Sequence, residues 1–296
     1  MTFFDDLKRA FGRFQRDQVT DHAAALTYYS LLSLFPALLF GVAVLGYFGQ
    51  QALIGQAADY LKQVGAPQET VDAITKALQS AIDMRKTAAT ALVIGLGTSL
   101  YGASGAFGAV GRALNHIWRI DEGRGFVRQK LVNLLWTLII MALVLLTFVL
   151  IFLGGGLAQD ALGKIGLGEN VATVWLYIRW PAALVAAMAI YAIVYYAAPN
   201  TEIRTWRFIT PGAAFGVLLW IIASAGFFIY VSGFSNYGAT YGAFSAVIVL
   251  LIWLWLTNTV LLFGAELNYV VDVRRTPGLP EDFDGPIMPP KDPPDD

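Results

Sequence analysis

Long apolar stretches alternate with short charged segments along this chain. Residues 23–48, 131–159 and 208–265 contain no charged side chain. Because a helix rises 1.5 Å per residue, about 20 apolar residues suffice to cross the hydrocarbon layer of a bilayer. The pattern predicts six transmembrane helices, at about 23–48, 87–111, 131–157, 174–198, 208–231 and 243–266.

Amphipathic or polar segments flank these spans. Residues 1–20 place phenylalanines at helical spacing with Lys and Arg between them, which predicts a cytoplasmic helix at the lipid headgroups; a solvated basic helix is the alternative. Residues 50–86 predict outer amphipathic helices too short to cross the bilayer. The proline-rich, acidic residues 276–296 predict a disordered cytoplasmic tail after the transmembrane domain of residues 21–275.

Composition and charge support a membrane protein. The chain is 57% hydrophobic and 14% charged, with a mean hydropathy of +0.59, so we expect an all-α polytopic fold in lipid. With six spans, both termini lie on one side, and that side collects 14 of the 20 Lys and Arg residues. The positive-inside rule then places both termini in the cytoplasm.

The first predicted span carries polar residues on one helical face. His22, Tyr29, Ser33 and Pro36 follow a helical spacing, and Asp21 precedes them. Such a face, ending at a proline, is typical of a solute path or a proton-accepting site. The alternative is that the hydroxyl groups only join neighbouring helices, while Asp21 and His22 cap the helix at the water boundary.

The last predicted span carries Glu266 near its inner end, with Asn258 two turns earlier. We expect Glu266 to pair with Arg274 or Arg275, and a buried pairing with His22 is the alternative. A membrane-tethered hydrolase would require Asp21, His22 and Glu266 to converge on one point.

The second predicted span is rich in small residues. In lipid such residues let helix backbones approach closely, so we expect a packing hub there. We place the hub at Gly95, Gly102, Gly105 and Gly108, four of the six glycines of this span.

Motifs for metal, cofactor or nucleotide chemistry are missing from the sequence. It has no cysteine, two histidines 94 residues apart, no HxxxH pair and no GxxxxGK[ST] loop. We therefore expect no cofactor, no metal site and no enzymatic activity. The short basic segments are explained by membrane orientation, so nucleic-acid binding is not expected either.

Three segments in order resemble the YihY/virulence factor BrkB family. They are AAALTYYSLLSLFPALLF at 23–40, RALNHIWRI at 112–120 and YGAFSAVIVLLIWLWLTNTVLLFGAELN at 241–268, and the similarity covers about residues 5–275. The resemblance implies a six-span bacterial inner-membrane protein associated with envelope integrity and serum resistance. Members were formerly labelled ribonuclease BN, a name regarded as a misassignment, and the family supplies no agreed catalytic residues.

Two functional hypotheses follow. The first is a non-enzymatic protein that contacts membrane lipids and moves or handles a lipid or small solute. The second is a structural or assembly factor in envelope biogenesis, and a homo-oligomer is compatible with both. A hydrated cavity beside Tyr29, Ser33 and Pro36 would favour the first hypothesis.

Overall fold

The computed structural model describes residues 2–48, 89–152, 169–201, 209–233 and 244–292, with short helical pieces between 54 and 80. These described residues form seven helices and an isolated β-bridge between Thr201 and Pro290. The helices are α1 (Phe3–Arg16), α2 (Val19–Phe48), α3 (Ala89–Trp118), α4 (Phe126–Phe152), α5 (Glu169–Ala197), α6 (Pro211–Gly233) and α7 (Phe244–Arg275).

The chain divides into two compact units. The first comprises Met1–Leu31 and Ala106–Asp296, and the second comprises Leu32–Gly105. In the second unit, Ile54 and Val71 are buried, and Thr75 donates a hydrogen bond to the Val71 carbonyl at 2.7 Å. Most of the predicted outer helices at 50–86 lies outside the described residues.

Four described helices are long and apolar enough to cross a membrane. Their candidate spans are Phe126–Thr147, Tyr177–Ala197, Pro211–Val231 and Val247–Arg275. They correspond to the third to sixth spans that the sequence predicts. The first two predicted spans fall in α2 and α3, which are helices of 30 residues with many side chains outside the described residues. The all-helical membrane architecture is therefore confirmed, and the count of six spans stays a prediction.

The last helix continues beyond its predicted end at residue 266. α7 has 32 residues, which corresponds to about 48 Å of helix and exceeds a hydrocarbon thickness of about 30 Å. It contacts α1 through Glu266 and Arg274, and it contacts α6 at Gly264. The additional length therefore brings residues after Glu266 into contact with the N-terminal helix.

Glycines bring α6 and α7 into close contact. A Cβ atom at Gly212 would lie 1.9 Å from the Gly264 carbonyl oxygen, and one at Gly264 would lie 2.3 Å from the Tyr195 hydroxyl. The Tyr195 hydroxyl of α5 donates to the Leu261 carbonyl of α7 at 2.6 Å. Only residues without side chains fit at such a crossing, so the junction of α5, α6 and α7 depends on this glycine pair.

The N-terminus of α6 is capped from within the protein. Pro211 occupies the first helical position, where its missing N–H costs nothing. The Thr210 hydroxyl accepts the N–H of Ala213 at 3.1 Å, and the Asn268 side chain on α7 accepts the N–H of Gly212 at 2.8 Å. Two N–H groups that the helix cannot satisfy are thus bonded, which fixes α6 against α7.

Tight packing in α3 is described at one glycine of the expected hub. Gly108 is buried, and a Cβ atom there would lie 2.7 Å from the Asn133 amide nitrogen of α4. Gly102 is exposed, and a Cβ atom at Gly105 would have no described atom within 4 Å. Gly95 lies outside the residues whose side chains are described. Close packing is thus described at Gly108, and the rest of the hub stays a prediction.

The tail also differs from the expectation of disorder. Residues 276–292 are described, and Leu279, Phe283 and Ile287 pack against the main apolar core. These three residues are four positions apart, so an apolar side chain of the tail contacts the core at regular intervals. Prolines and carboxylates nevertheless dominate the composition of the tail. Prediction from composition failed here because the tail is ordered by contacts with distant helices.

We expect Gly212→Ala to destabilise the protein and Gly226→Ala to leave it unchanged. Both glycines lie in α6, but a Cβ at Gly226 has no described atom within 4 Å. Overpacking of this kind typically costs about 1–3 kcal/mol. Thermal unfolding of both variants in detergent measures the difference, and equal melting temperatures would contradict the proposed crossing.

Candidate functional site

Helix α1 buries its charged face and exposes its aromatic face. Asp6, Ala10, Arg13 and Asp17 follow one another at steps of four, three and four residues, and all four are buried. On the opposite side, Phe4 is 72% exposed. The exposed aromatic face is the arrangement expected of a helix that lies against lipid.

Charged contacts hold α1 antiparallel to α7. Asp6 pairs with Arg274 at 2.6 Å, and Arg13 pairs with Glu266 at 2.9 Å. The residues are seven positions apart on α1 and eight apart on α7, so each helix advances by about two turns between the contacts.

The Arg13 guanidinium is the centre of the site, and every nitrogen that it carries is bonded. It is 7% exposed, while Glu266 is fully buried. Its plane lies over the Tyr269 ring, 3.8 Å from the ring centroid, which adds a cation–π contact. Its hydrogen bonds are Nε to Glu266 (2.9 Å), Nη1 to Asp284 (2.6 Å), and Nη2 to Asp17 (3.4 Å) and the Ile117 carbonyl (3.2 Å).

Arg119 reaches the same cluster from the end of α3. It has a φ of 59°, in the left-handed region that glycine usually occupies after a helix. The amides of Arg119 and Ile120 donate to the carbonyls of His116 and Asn115, which completes the helix C-cap. The guanidinium then donates to Asp17 at 2.8 Å and to Asp284 at 2.9 Å. Backbone strain at this turn thus accompanies the placement of a charged side chain.

Charges within the cluster balance. Arg13, Arg16 and Arg119 face Asp17, Glu266 and Asp284, and one Glu266 oxygen has no hydrogen-bond partner among the described residues. Burial opposes ionisation of Asp284, but hydrogen bonds from Arg119 and Arg13 lower its pKa to about 2. The stabilisation from this lowered pKa is present above pH 4 and is lost as the pH falls toward 2.

A second polar network fastens the far end of the tail. The Asn200 side chain donates to the Asp292 carbonyl at 2.8 Å and accepts a hydrogen bond from the Asp292 backbone N–H at 3.2 Å. The backbone N–H of Asn200 donates to the Asn115 side-chain oxygen at 2.7 Å. Arg124 binds Glu122 through two hydrogen bonds of 2.6 Å, which lower the pKa of Glu122 although burial opposes its ionisation. The ends of α3 and α5 are thereby joined to the tail.

The structure describes the surroundings of most of the residues predicted on the first span, and their common site stays a prediction. Asp21 is exposed. His22 lies beside His116, with 4.9 Å between ring centroids, and burial lowers its pKa with a smaller contribution from His116. Tyr29 is half-buried, with the Arg112 guanidinium 5.7 Å from its ring centroid. Ser33 is half-buried in the second unit, and the Pro36 side chain lies outside the described residues.

On the last span, Asn258 and Glu266 are both buried. Asn258 donates to the Thr27 hydroxyl at 3.3 Å and to the Ser30 hydroxyl at 3.4 Å, so it joins α7 to α2. The expected pairing of Glu266 with Arg274 or Arg275 is wrong, because Arg13 pairs with Glu266 and Arg274 pairs with Asp6.

The hydrolase arrangement is not seen among the described contacts. The structure records no contact that joins Asp21, His22 and Glu266, and within the described residues no group of three His, Asp or Glu side chains is placed to hold a metal ion.

Sequence reasoning missed five charged residues of the cluster: Arg13, Arg16, Asp17, Arg119 and Asp284. The four-residue spacing of Arg13 and Asp17 within the series that starts at Asp6 was the available signal for α1. No local pattern indicates Arg119 or Asp284, since their partners are more than 100 residues distant.

The long apolar helices and the buried ion pairs define a helical membrane protein. The sequence model of the family described as virulence factor BrkB matches residues 10–284. The chain therefore belongs to this family, as the resemblance predicted.

Relatives of known sequence agree with the family assignment. The chain is 30% identical to the "ribonuclease-like protein YfkH" of Bacillus subtilis over 91% of its own length and 96% of that protein. It is 31% identical to a UPF0761 membrane protein of Alkalilimnicola ehrlichii, covering 91% of this chain and 60% of the relative. A UPF0761 membrane protein of Aeromonas salmonicida is 28% identical, with 86% of this chain and 85% of the relative covered. No solved structure matches the chain significantly.

We predict that Arg13→Met destabilises the protein more than Arg13→Met combined with Glu266→Leu. The single substitution leaves the Glu266 carboxylate buried without its partner, which typically costs about 3–5 kcal/mol, whereas the double substitution removes both charges. Thermal unfolding in detergent measures both, with Lys8→Met on the exposed face of α1 as the matched control. A double variant as unstable as the single variant would refute the prediction.

Proposed function

We propose that this protein is a non-enzymatic inner-membrane protein that moves or handles a lipid or a small solute. The observation that carries the proposal is the buried Arg13–Glu266 pair at the end of a membrane helix. Ionisable groups buried in membrane segments are costly, and they commonly mark substrate, ion or proton pathways.

A second buried polar contact lies on the same face of α7 and supports this proposal. Asn258, Leu262 and Glu266 follow at four-residue intervals, and all three are buried. Asn258 contacts Thr27 and Ser30 of α2, and Leu262 separates it from the arginine-centred cluster. The Asn258 contacts and the arginine-centred cluster are thus two turns apart, with one apolar residue between them. In such an arrangement a small shift of α2 against α7 would connect the two polar sites.

The distribution of arginines supports cytoplasmic termini. Arg9, Arg13 and Arg16 of α1 meet tail residues, as do Arg119 and Arg128. A cluster of positive charges at one end of a set of membrane helices favours the cytoplasmic side.

Reconstitution of the purified full chain in liposomes tests the proposal. We expect lipid scrambling or solute flux above that of protein-free vesicles. We expect Glu266→Gln to reduce the rate at least about tenfold, since it removes the charge that pairs with Arg13. Arg275→Gln is the matched control, because Arg275 is exposed at the end of the same helix.

Wild-type vesicles that scramble no lipid and pass no ion would contradict the proposal. That result would favour the second hypothesis, a structural or assembly factor of the envelope. Equal scrambling or flux rates for Glu266→Gln and Arg275→Gln would instead show that the arginine-centred cluster is not part of the transport pathway.

A further inference from the structure

One tail carboxylate lies among three arginines, two from α1 and one from the end of α3. Asp284 accepts hydrogen bonds from Arg13 at 2.6 Å and from Arg119 at 2.9 and 3.2 Å, and it pairs with Arg16 at 3.7 Å. Arginine forks around one anion are the usual arrangement for binding carboxylate or phosphate oxygens.

Arg13, Arg16 and Arg119 form a cradle around Asp284, and this cradle borders an open groove. The groove has a volume of about 560 Å³, and its lining includes Arg9, Arg13, Arg16 and Tyr269. The tail contributes Glu281, Asp282 and Phe283 to the lining, and Glu281 pairs with Arg9. This volume is within the range of small-molecule sites in proteins, about 300–1,000 Å³.

Without the tail, the cradle would carry excess positive charge. Arg13, Arg16 and Arg119 are balanced only in part by the buried Asp17 and Glu266, and Arg9 would lose its partner. The tail supplies the two missing negative charges through Glu281 and Asp284. Any anion that replaces the tail must therefore carry one or two negative charges, as a phosphate group does.

The tail is held on the protein by contacts other than those of its acidic side chains. Leu279, Phe283 and Ile287 pack on the apolar core, and the Tyr269 hydroxyl donates to the Gly285 carbonyl at 2.8 Å. The Asp284 carboxylate is 34% exposed, so solvent reaches it while the neighbouring residues are packed. A competing anion can thus reach the arginines without unfolding of the whole tail.

We propose that Arg9, Arg13, Arg16 and Arg119 form a binding site for a phosphate group, and that Glu281 and Asp284 of the tail occupy this site when no phosphate is bound. The phosphate belongs either to an anionic lipid headgroup or to a free phosphorylated solute. We make this inference within the proposed function, since it names the chemical class of the ligand that the protein handles.

Binding of phosphate probes to the full chain in detergent tests the inference. The probes are inorganic phosphate, dihexanoyl phosphatidylglycerol and dihexanoyl phosphatidylcholine, and native mass spectrometry gives the bound fraction. If the tail occupies the cradle about nine-tenths of the time, Asp284→Asn should bind phosphate probes about tenfold more tightly than the wild type. Binding of phosphatidylglycerol alone assigns a lipid, and binding of inorganic phosphate assigns a free solute.

Asp121→Asn is the matched control. It removes the same charge at an exposed aspartate that does not line the groove. Adding Arg16→Gln to Asp284→Asn should cancel the gain, and the exposure of Arg16 makes loss of folding a poor explanation for that effect.

Equal affinities for the wild type, Asp284→Asn and Asp121→Asn would overturn the inference, as would tighter binding that survives Arg16→Gln. Preference for phosphatidylcholine would also overturn it, because apolar contact would then explain binding. Flux without phosphate binding would refute only this inference, whereas phosphate binding without flux would refute only the proposed function.

Discussion

The burial of the Arg13 guanidinium constrains much of the described structure. Arginine stays charged at any physiological pH, so its burial requires anions and acceptors on every side. They come from α7 through Glu266, from the α1–α2 junction through Asp17, from α3 through the Ile117 carbonyl, and from the tail through Asp284. Segments that are distant in sequence are therefore held at one point by a single side chain.

This constraint explains why α1 buries charge and exposes aromatic rings. In water the apolar face of a short helix would pack inward, whereas next to a membrane the lipid can cover it. The charged face is then free to pack on protein, provided that each charge finds a partner. Asp6 with Arg274 and Arg13 with Glu266 satisfy that condition along two turns of α7.

The long apolar helices were predictable from the sequence, and the contacts at their ends were not. Hydropathy reports burial in lipid, so the third to sixth spans agree with candidate spans in the structure. Hydropathy does not identify the ion-pair partner of a charged side chain. The expected pairing of Glu266 with nearby Arg274 or Arg275 was wrong because Arg13, 253 residues away, is the partner. Local reasoning also missed the tail, since Asp284 and Phe283 are ordered by groups on α1 and α3 and by the apolar core.

The family and the fold leave the substrate open, and the arginine cluster is where the structure concentrates its charge. If Arg13 joins α1 to the tail, the two segments should lose protection together when its charge is removed. Hydrogen–deuterium exchange of the wild type and of Arg13→Gln in detergent measures this directly, peptide by peptide. We predict faster exchange in both residues 3–16 and residues 279–288, with α4 unchanged. Faster exchange in only one of the two segments would contradict the account.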